Sequence, residues 1–157
     1  MTQQPNSALR TASMPLARPA ERLDGLDGYA RRLLTRGLAV VGLTGIALVH
    51  LVELPDTWRE TVGLGVLFAL LVVAAAVVAA GLLHTDTTRL WQASALVAVA
   101  AIAGYILTRS VALPFDRDDV GNWLEPLGLV ALFIEAGVLA LCGYTLTTSH
   151  ADTDERN

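Results

Sequence analysis

Ionisable side chains are scarce in the long apolar stretches of this chain, and the few that occur there could carry chemistry. His50 and Glu53 lie near the end of one apolar stretch, and Glu135 lies within another. Arg109 and Glu125 border the last connection between such stretches. An imidazole and carboxylates can transfer protons, hold a metal ion or pair with a guanidinium. The question is whether the apolar stretches bring these groups together.

Four stretches are apolar enough to cross a membrane. Residues 62–83 and 90–108 contain no charged residue, and residues 37–54 and 126–147 are equally apolar except at His50, Glu53 and Glu135. An α-helix needs about 20 apolar residues to cross a hydrocarbon layer about 30 Å thick. The sequence therefore predicts an all-α fold, a four-transmembrane-helix bundle formed by residues 37–147.

The segments outside the predicted bundle are more polar. Residues 1–19 are rich in Ser, Thr, Gln, Ala and Pro, and we expect them to form a disordered tail. Leucines recur at helical spacing in residues 20–36, which predicts an amphipathic helix lying at the membrane interface. Residues 148–157 are polar and are expected to form a second disordered tail.

The distribution of arginine predicts how the four spans are oriented. If the N-terminus is cytoplasmic, eight arginines fall on the cytoplasmic side and three on the outer side. Basic residues are enriched in cytoplasmic loops, especially next to the first span. We therefore predict an up-down-up-down topology with cytoplasmic N- and C-termini, in the plasma membrane of a bacterium. The connections 55–61 and 109–125 would then face outward.

The outward ends of three spans carry a predicted polar cluster, which consists of His50, Glu53, Tyr105, Arg109 and Glu125. His50 and Glu53 are three residues apart, so they share a helix face. Glu125 precedes a proline, which favours a helix start there and places the carboxylate near the positive end of the helix dipole. In the structural interpretation, Arg109 neutralises one or both glutamates and the cluster fixes the register of the helices.

A divalent metal site is the alternative interpretation of the cluster, with His50, Glu53 and Glu125 as ligands. One imidazole and two carboxylates suit Fe, Mn or Zn, although the adjacent Arg109 opposes a metal by charge repulsion. Haem is not expected, because His50 and His84 would lie about 25 Å apart along the membrane normal at the helical rise of about 1.5 Å per residue. The identity of any cofactor is left open.

Glu135 is predicted to lie near the midplane of the membrane, about 13 Å from the outer end of its span at the standard helical rise. No basic residue is predicted at that depth, so the expected partners are Thr44, Ser94 or Tyr105. A carboxylate within a membrane is a functional-site hypothesis by default. The alternatives are a protonated Glu135 that donates one interhelical hydrogen bond, and a carboxylate that relays protons or coordinates ions.

The sequence lacks the common catalytic motifs, so we do not expect an enzyme. It has no Gly-rich phosphate loop, no Gly-x-Ser-x-Gly elbow, no Cys-x-x-Cys and no His-Glu-x-x-His. The formal net charge is −4 and there is no basic face outside the N-terminal tail, which argues against a nucleic-acid binder. The expected partners are the lipid bilayer and either another membrane protein or a second copy of the chain, because small residues in the spans allow close helix packing.

Three functions remain open at this point. The leading hypothesis is a small accessory or interaction protein of the membrane, in which the polar cluster holds the bundle together and docks a partner. The second is a proton-linked or ion transporter component that uses Glu135. The third is a metal-binding or redox accessory membrane protein.

The region around the last connection resembles a known type of sequence. It contains Gly104-Tyr105-Ile106-Leu107-Thr108-Arg109, then Leu113-Pro114, then Gly121-Asn122-Trp123-Leu124-Glu125-Pro126-Leu127-Gly128. This pattern resembles small four-span membrane proteins of actinobacteria, in which a Gly-Tyr/Val-x-Leu-Ser/Thr-Arg-Thr-x-Gly-Leu-Pro segment precedes a Trp-x-Glu-Pro-x-Gly helix start. Val111-Ala112 departs from the Thr-x-Gly element. The resemblance covers about residues 40–140; it implies the four-span fold and marks these residues as a site, and it implies no activity.

Overall fold

The chain forms four α-helices in the computed structural model, which describes residues 19–111 and 120–154. The helices are α1 (Pro19–Glu60), α2 (Val62–His84), α3 (Thr88–Ser110) and α4 (Pro126–Asp154). Those two segments contain no strand. Each helix includes a stretch long and apolar enough to cross a membrane. The prediction of an all-α chain with four apolar spans is therefore confirmed.

Helix α1 extends beyond the predicted span at both ends. Residues 20–36, predicted as a separate interfacial helix, continue into the span without a break. At the other end the helix passes through Pro55 and ends at Glu60, although the sequence predicted an end at residue 54. That prediction relied on proline, which lacks an N–H and disfavours the helical conformation of the residue before it. The helical bonding resumes after the proline, since the Thr61 N–H donates to the Thr57 carbonyl at 2.8 Å.

Helix α4 begins at Pro126 and continues to Asp154. Residues 148–154, which the sequence assigned to a disordered tail, are therefore helical. The rest of that predicted tail, 155–157, and residues 1–18 of the predicted N-terminal tail lie outside the described residues. At about 1.5 Å per residue, α1 and α4 are roughly 63 Å and 44 Å long, so both exceed a hydrocarbon layer of about 30 Å.

The helices approach each other closely at glycines. Gly42 of α1 faces the side chain of Val138 on α4, and Gly45 faces Ile134 one turn further along. At the junction of α1 and α2, a Cβ at Gly65 would lie 2.9 Å from the Cα of Trp58. Without a hydrophobic drive between helices in lipid, such small residues allow the backbone contacts that hold a membrane bundle together.

The buried core is small and the apolar surface is large. The side chains that are fully enclosed include Leu43, Ile46, Leu82, Val138 and Cys142. In the most apolar stretch of each helix, only 22–28% of the residues are buried inside the bundle. The remaining leucines and valines form a continuous apolar exterior, which is far larger than the apolar patches of soluble monomers. Lipid is the medium that such a surface requires.

Adding one methyl group at Gly42 is expected to destabilise the bundle. An alanine Cβ there would overlap Cγ2 of Val138, a stiff β-branched side chain that is 1% exposed. Overpacking of this kind costs about 1–3 kcal/mol. Gly37→Ala is the matched control, because nothing lies within 4 Å of its added Cβ. Denaturation by SDS in detergent micelles should show a lower midpoint for Gly42→Ala and an unchanged or higher midpoint for Gly37→Ala; equal midpoints would contradict this packing.

Candidate functional site

A cavity of about 630 Å³ opens between the four helices at the end of the bundle where α1 meets α2 at Thr61, here called the Thr61 end. Residues from all four helices line it. They include every site residue that the sequence proposed: His50, Glu53, Tyr105, Arg109, Glu125 and Glu135. The structure therefore gathers the predicted side chains around one space, although it pairs them differently from the prediction.

His50 lies on α1 and is held by its own helix. Its ring nitrogen Nδ1 lies 2.9 Å from the carbonyl oxygen of Ile46. Since a carbonyl only accepts, this geometry places a hydrogen on Nδ1 and leaves Nε2 to face outward from α1. The ring packs edge-on against Phe68 of α2, with the two centroids 4.9 Å apart. His50 is 8% exposed, so its orientation is set by both contacts.

Glu135 of α4 faces His50 across the bundle. The distance between His50 Nε2 and Glu135 Oε1 is 3.9 Å, and Glu135 is only 1% exposed. Its other oxygen, Oε2, is buried and has no hydrogen-bond partner within the part of the chain that the structure describes. A buried acceptor in this condition costs about 1–3 kcal/mol. Burial of Glu135 therefore carries a free-energy cost that the other buried polar side chains of the described residues avoid.

The partners that the sequence suggested for Glu135 bond elsewhere. The hydroxyls of Thr44 and Ser94 each donate to the carbonyl four residues earlier in their own helix, at 2.8 Å. The hydroxyl of Tyr105 donates to the carbonyl of Trp123, also at 2.8 Å. Serine and threonine in helices commonly bond back to their own backbone. That prediction is wrong, and His50 is the residue that faces Glu135.

Arg109 joins the end of α3 to the segment before α4. Its Nε donates to the carbonyl of Asn122 at 3.0 Å, and Nη1 donates to the Thr108 hydroxyl at 3.1 Å. The guanidinium lies over the ring of Tyr105, 4.9 Å from the centroid, which is a cation–π contact. Nη2 is 3.9 Å from Oε2 of Glu125. The guanidinium thus points into the protein and has a carboxylate at ion-pair distance.

Glu125 caps the first turn of α4. Its Oε1 accepts the backbone N–H of Leu127 at 3.0 Å, and Oε2 accepts that of Gly128 at 2.6 Å. A negative charge at a helix N-terminus is also favoured by the helix dipole. Gly128 leaves room for this cap, since a Cβ there would lie 2.8 Å from Oε2 and 2.6 Å from the ring of Tyr105.

The polar side chains thus form two groups at different depths. A rim group at the Thr61 end consists of Tyr105, Arg109 and Glu125, and its polar atoms bond mainly to the backbone around the α3–α4 connection. A floor pair consists of His50 and Glu135, which lie deeper in the cavity. Glu53 also lines the cavity, about one helical turn nearer the Thr61 end than His50. The sequence predicted that His50 and Glu125 lie in one layer. That prediction is wrong, because His50 belongs to the deeper floor pair and Glu125 to the rim group.

The predicted metal ligands His50, Glu53 and Glu125 do not assemble into a metal site. Residues 19–111 and 120–154 contain no group of three or more His, Cys, Asp or Glu side chains placed to hold a metal ion. The reason lies in the bonds already made: both oxygens of Glu125 accept helix N–H groups, and the free nitrogen of His50 faces Glu135.

Two features of the site were missed by reasoning from sequence. One is the cavity itself, whose α2 wall is formed by apolar residues that carry no chemical signal. The other is Asn122, which holds Arg109 through its backbone carbonyl rather than its side chain. Backbone contacts of this kind depend on loop conformation, which residue type does not reveal.

Comparisons with known proteins do not indicate what this site does. The chain matches no protein-family model, and comparisons with curated proteins and with solved structures give no significant match either. The resemblance to small actinobacterial membrane proteins therefore stays a prediction from sequence. Function has to be argued from the site alone.

Proposed function

We propose that this protein is a proton-linked membrane transport component in which Glu135 and His50 hold and pass a proton at the floor of the cavity. One observation carries the proposal. Glu135 is 1% exposed within an apolar span, and its Oε2 has no hydrogen-bond partner in the described segments. Ionisable residues in membrane spans typically mark ion or proton pathways, because their cost is tolerated only for function.

His50 supplies the second group that a proton path needs. The bond from Nδ1 to the Ile46 carbonyl fixes the ring, so Nε2 is presented to Glu135 as an acceptor. A separation of 3.9 Å is beyond a hydrogen bond, but a shift of less than 1 Å by either side chain would make one. Imidazole exchanges protons readily near neutral pH. Both residues line the cavity at the Thr61 end, the space through which water would reach the pair.

The geometry favours this function over the accessory and metal hypotheses. The bonds of Arg109 and Glu125 link α3, the following connection and α4, so the rim group has a structural use that needs no partner protein. The floor pair makes fewer bonds, since Glu135 lies 3.9 Å from His50 and its Oε2 has no hydrogen-bond partner in the described segments. The metal hypothesis requires a group of three or more ligands, and the described residues contain no such group.

The orientation of the bundle forms part of the proposal. The excess of arginine on one side supports cytoplasmic N- and C-termini, an up-down-up-down topology and a location in the plasma membrane. The Thr61 end and the mouth of the cavity would then face the outside of the cell. Protons would enter the floor pair from the exterior.

The proposal is tested by proton flux in liposomes that contain the purified full-length protein and an internal pH-sensitive dye. When a pH gradient is imposed, the wild-type protein is expected to collapse it faster than protein-free liposomes do. Glu135→Gln should lower this flux on the order of tenfold or more, because the amide cannot exchange a proton. Asp27→Asn is the matched control, since it also converts a carboxylate to an amide, at an exposed position near the other end of α1.

Two results would overturn the proposal. One is a wild-type flux no greater than that of protein-free liposomes. The other is a Glu135→Gln flux equal to that of the wild type while both proteins are folded, as judged by circular dichroism and by elution as a single species. Glu135→Asp retains the carboxyl and should keep a measurable part of the flux, which separates loss of the acid from loss of the fold.

A further inference from the structure

The cavity at the Thr61 end carries an excess of negative charge. Five acidic residues line it (Glu53, Asp56, Glu60, Glu125 and Glu135), and the single arginine among the lining residues is Arg109. Asp56 is paired with Arg59 at 2.8 Å, so the excess comes mainly from the other carboxylates. The guanidinium of Arg109 is directed at the Asn122 carbonyl, the Thr108 hydroxyl and the Tyr105 ring, rather than into open space. A cleft with low-dielectric walls concentrates the field of such charges, so this cavity attracts cations and repels anions.

The floor of the cavity offers one anchoring group, the carboxyl of Glu135. Glu135 lines the cavity, and its Oε2 is buried and has no hydrogen-bond partner in the described segments. The other oxygen of this carboxyl, Oε1, lies 3.9 Å from Nε2 of His50. An occupant that places a positive charge beside this carboxylate would compensate the buried side-chain oxygen that has no partner among the described residues.

The walls between rim and floor are apolar. Leu64, Phe68 and Leu71 of α2 and Ala101 of α3 are among the residues that line the cavity. A hydrated inorganic ion gains nothing from such walls and would lose its water against them, whereas an organic cation can bury its apolar body there. The volume of about 630 Å³ lies within the range of about 300–1,000 Å³ that is common for small-molecule sites.

We propose that the cavity binds a small monovalent organic cation with an apolar body, and that Glu135 is its counter-ion. This inference rests on the proposed function and names the class of substrate that the proton-linked site would carry. A cation at Oε2 and a proton on the same carboxyl exclude each other. One proton therefore leaves through the cavity to the medium as one cation enters, and the charge of the site is unchanged.

Competition with protons gives this proposal a defined pH dependence. The ionisable groups that share the cavity with Glu135 are His50, Glu53, Asp56 and Glu60 from α1, Tyr105 and Arg109 from α3, and Glu125 before α4. The α2 residues that line it carry no ionisable side chain. Acidification protonates the carboxyl of Glu135 and charges His50, and both changes oppose a cation. Binding should therefore weaken as the pH falls.

The test uses two probes of nearly identical shape and opposite charge, tetraphenylphosphonium and tetraphenylborate. Equilibrium binding of each is measured on the full-length protein in lipid nanodiscs, and empty nanodiscs supply the background. We expect saturable binding of tetraphenylphosphonium that weakens on acidification, and no saturable binding of tetraphenylborate. In weakly buffered solution, binding of the phosphonium should release protons.

Substitution of Glu135 decides whether the carboxyl anchors the cation. Glu135→Gln should weaken phosphonium binding by roughly tenfold or more, the effect of losing one charged contact. Asp27→Asn, far from the cavity, should bind like the wild type. Equal binding of both probes, undiminished binding by Glu135→Gln, or a phospholipid that co-purifies in the cavity and is not displaced by the phosphonium would each overturn the proposal.

The two proposals can fail separately. A Glu135-dependent proton flux without saturable phosphonium binding would overturn the substrate class and leave the proton-linked function standing. Saturable, Glu135-dependent phosphonium binding without proton release on binding and without proton flux would overturn the linkage to protons. In that case the cavity would be a cation-binding site only.

Discussion

Glu135→Met is expected to raise the stability of the bundle while it abolishes proton flux. The substitution removes the buried Oε2, which has no hydrogen-bond partner in the described residues, and replaces the carboxyl by an apolar chain of similar length. Relief of one unsatisfied buried polar group is worth about 1–3 kcal/mol. His50 loses little, because its Nε2 lies 3.9 Å from Glu135 and its Nδ1 retains the contact with the Ile46 carbonyl.

The measurement is the SDS concentration, or the temperature, at which the protein unfolds in detergent micelles. Glu135→Met should unfold later than the wild type, and Glu135→Gln should remain close to it because the amide is still polar and buried. A lower midpoint for Glu135→Met would mean that the carboxyl makes a stabilising contact in the membrane protein. That result would weaken the argument that Glu135 is retained for function.

The stability cost at Glu135 is informative because no other buried side-chain oxygen or nitrogen of the described residues lacks a hydrogen-bond partner. Thr44 and Thr145, for example, bond to their own helix backbone, and Trp91 donates to Asp86 at 2.7 Å. A buried polar group that lacks a hydrogen bond, in a protein whose other buried polar groups have one, is expected at a functional site. The floor of the cavity is the place in the described structure where a buried oxygen is left without a bond.

The fold could be predicted from sequence because hydropathy alone specifies it. Runs of apolar residues longer than a soluble core helix identify the four spans. Five of the eight predicted helix boundaries lie within two residues of those in the structure, a normal uncertainty for helix boundaries. The end of α1 was misplaced because proline usually ends a helix, whereas Pro55 is accommodated inside this one. In a bundle, packing against neighbours can offset the single backbone bond that proline removes.

The misplaced end of α1 also explains why the pairing of His50 with Glu135 was missed. If α1 ended at residue 54, His50 would lie near the membrane surface, well above Glu135. With the end at Glu60, His50 lies ten residues from that end, about 15 Å, and Glu135 lies nine residues from Pro126, about 13 Å. The two side chains are thus at the same depth, and a correct boundary would have matched them.

Which face of each helix points inward could not be predicted from sequence. Helices α2, α3 and α4 are apolar on nearly all sides, since lipid and the bundle interior favour the same residues. Phe68 contacts His50 while Leu67, its neighbour, is 60% exposed, and nothing in their residue types distinguishes them. Polar residues are the exception, because lipid rejects them, and this is why all six predicted site residues line the same cavity.

Arg109→Ala is expected to destabilise the Thr61 end more than any other single charge removal at the rim. The guanidinium side chain is only 10% exposed and it bonds Asn122 and Thr108, covers Tyr105 and faces Glu125. Its loss leaves the Asn122 carbonyl and the Glu125 carboxylate without their cation, at a cost of about 2–3 kcal/mol. Arg109→Lys should recover only part of this, because an ammonium cannot reach several acceptors in a planar arrangement.

The matched control is Arg59→Ala, which removes another arginine from the same end of the bundle. Arg59 pairs with Asp56 at 2.8 Å, but both side chains are more than three-quarters exposed, so the expected cost is about 0.5 kcal/mol or less. Unfolding midpoints in SDS should therefore fall clearly for Arg109→Ala and hardly for Arg59→Ala. Because the rim is proposed to be structural and the floor functional, Arg109→Ala protein that remains folded should still move protons through Glu135. Equal midpoints for the two variants, or a folded Arg109→Ala protein without flux, would show that the rim and the floor are not separate in this way.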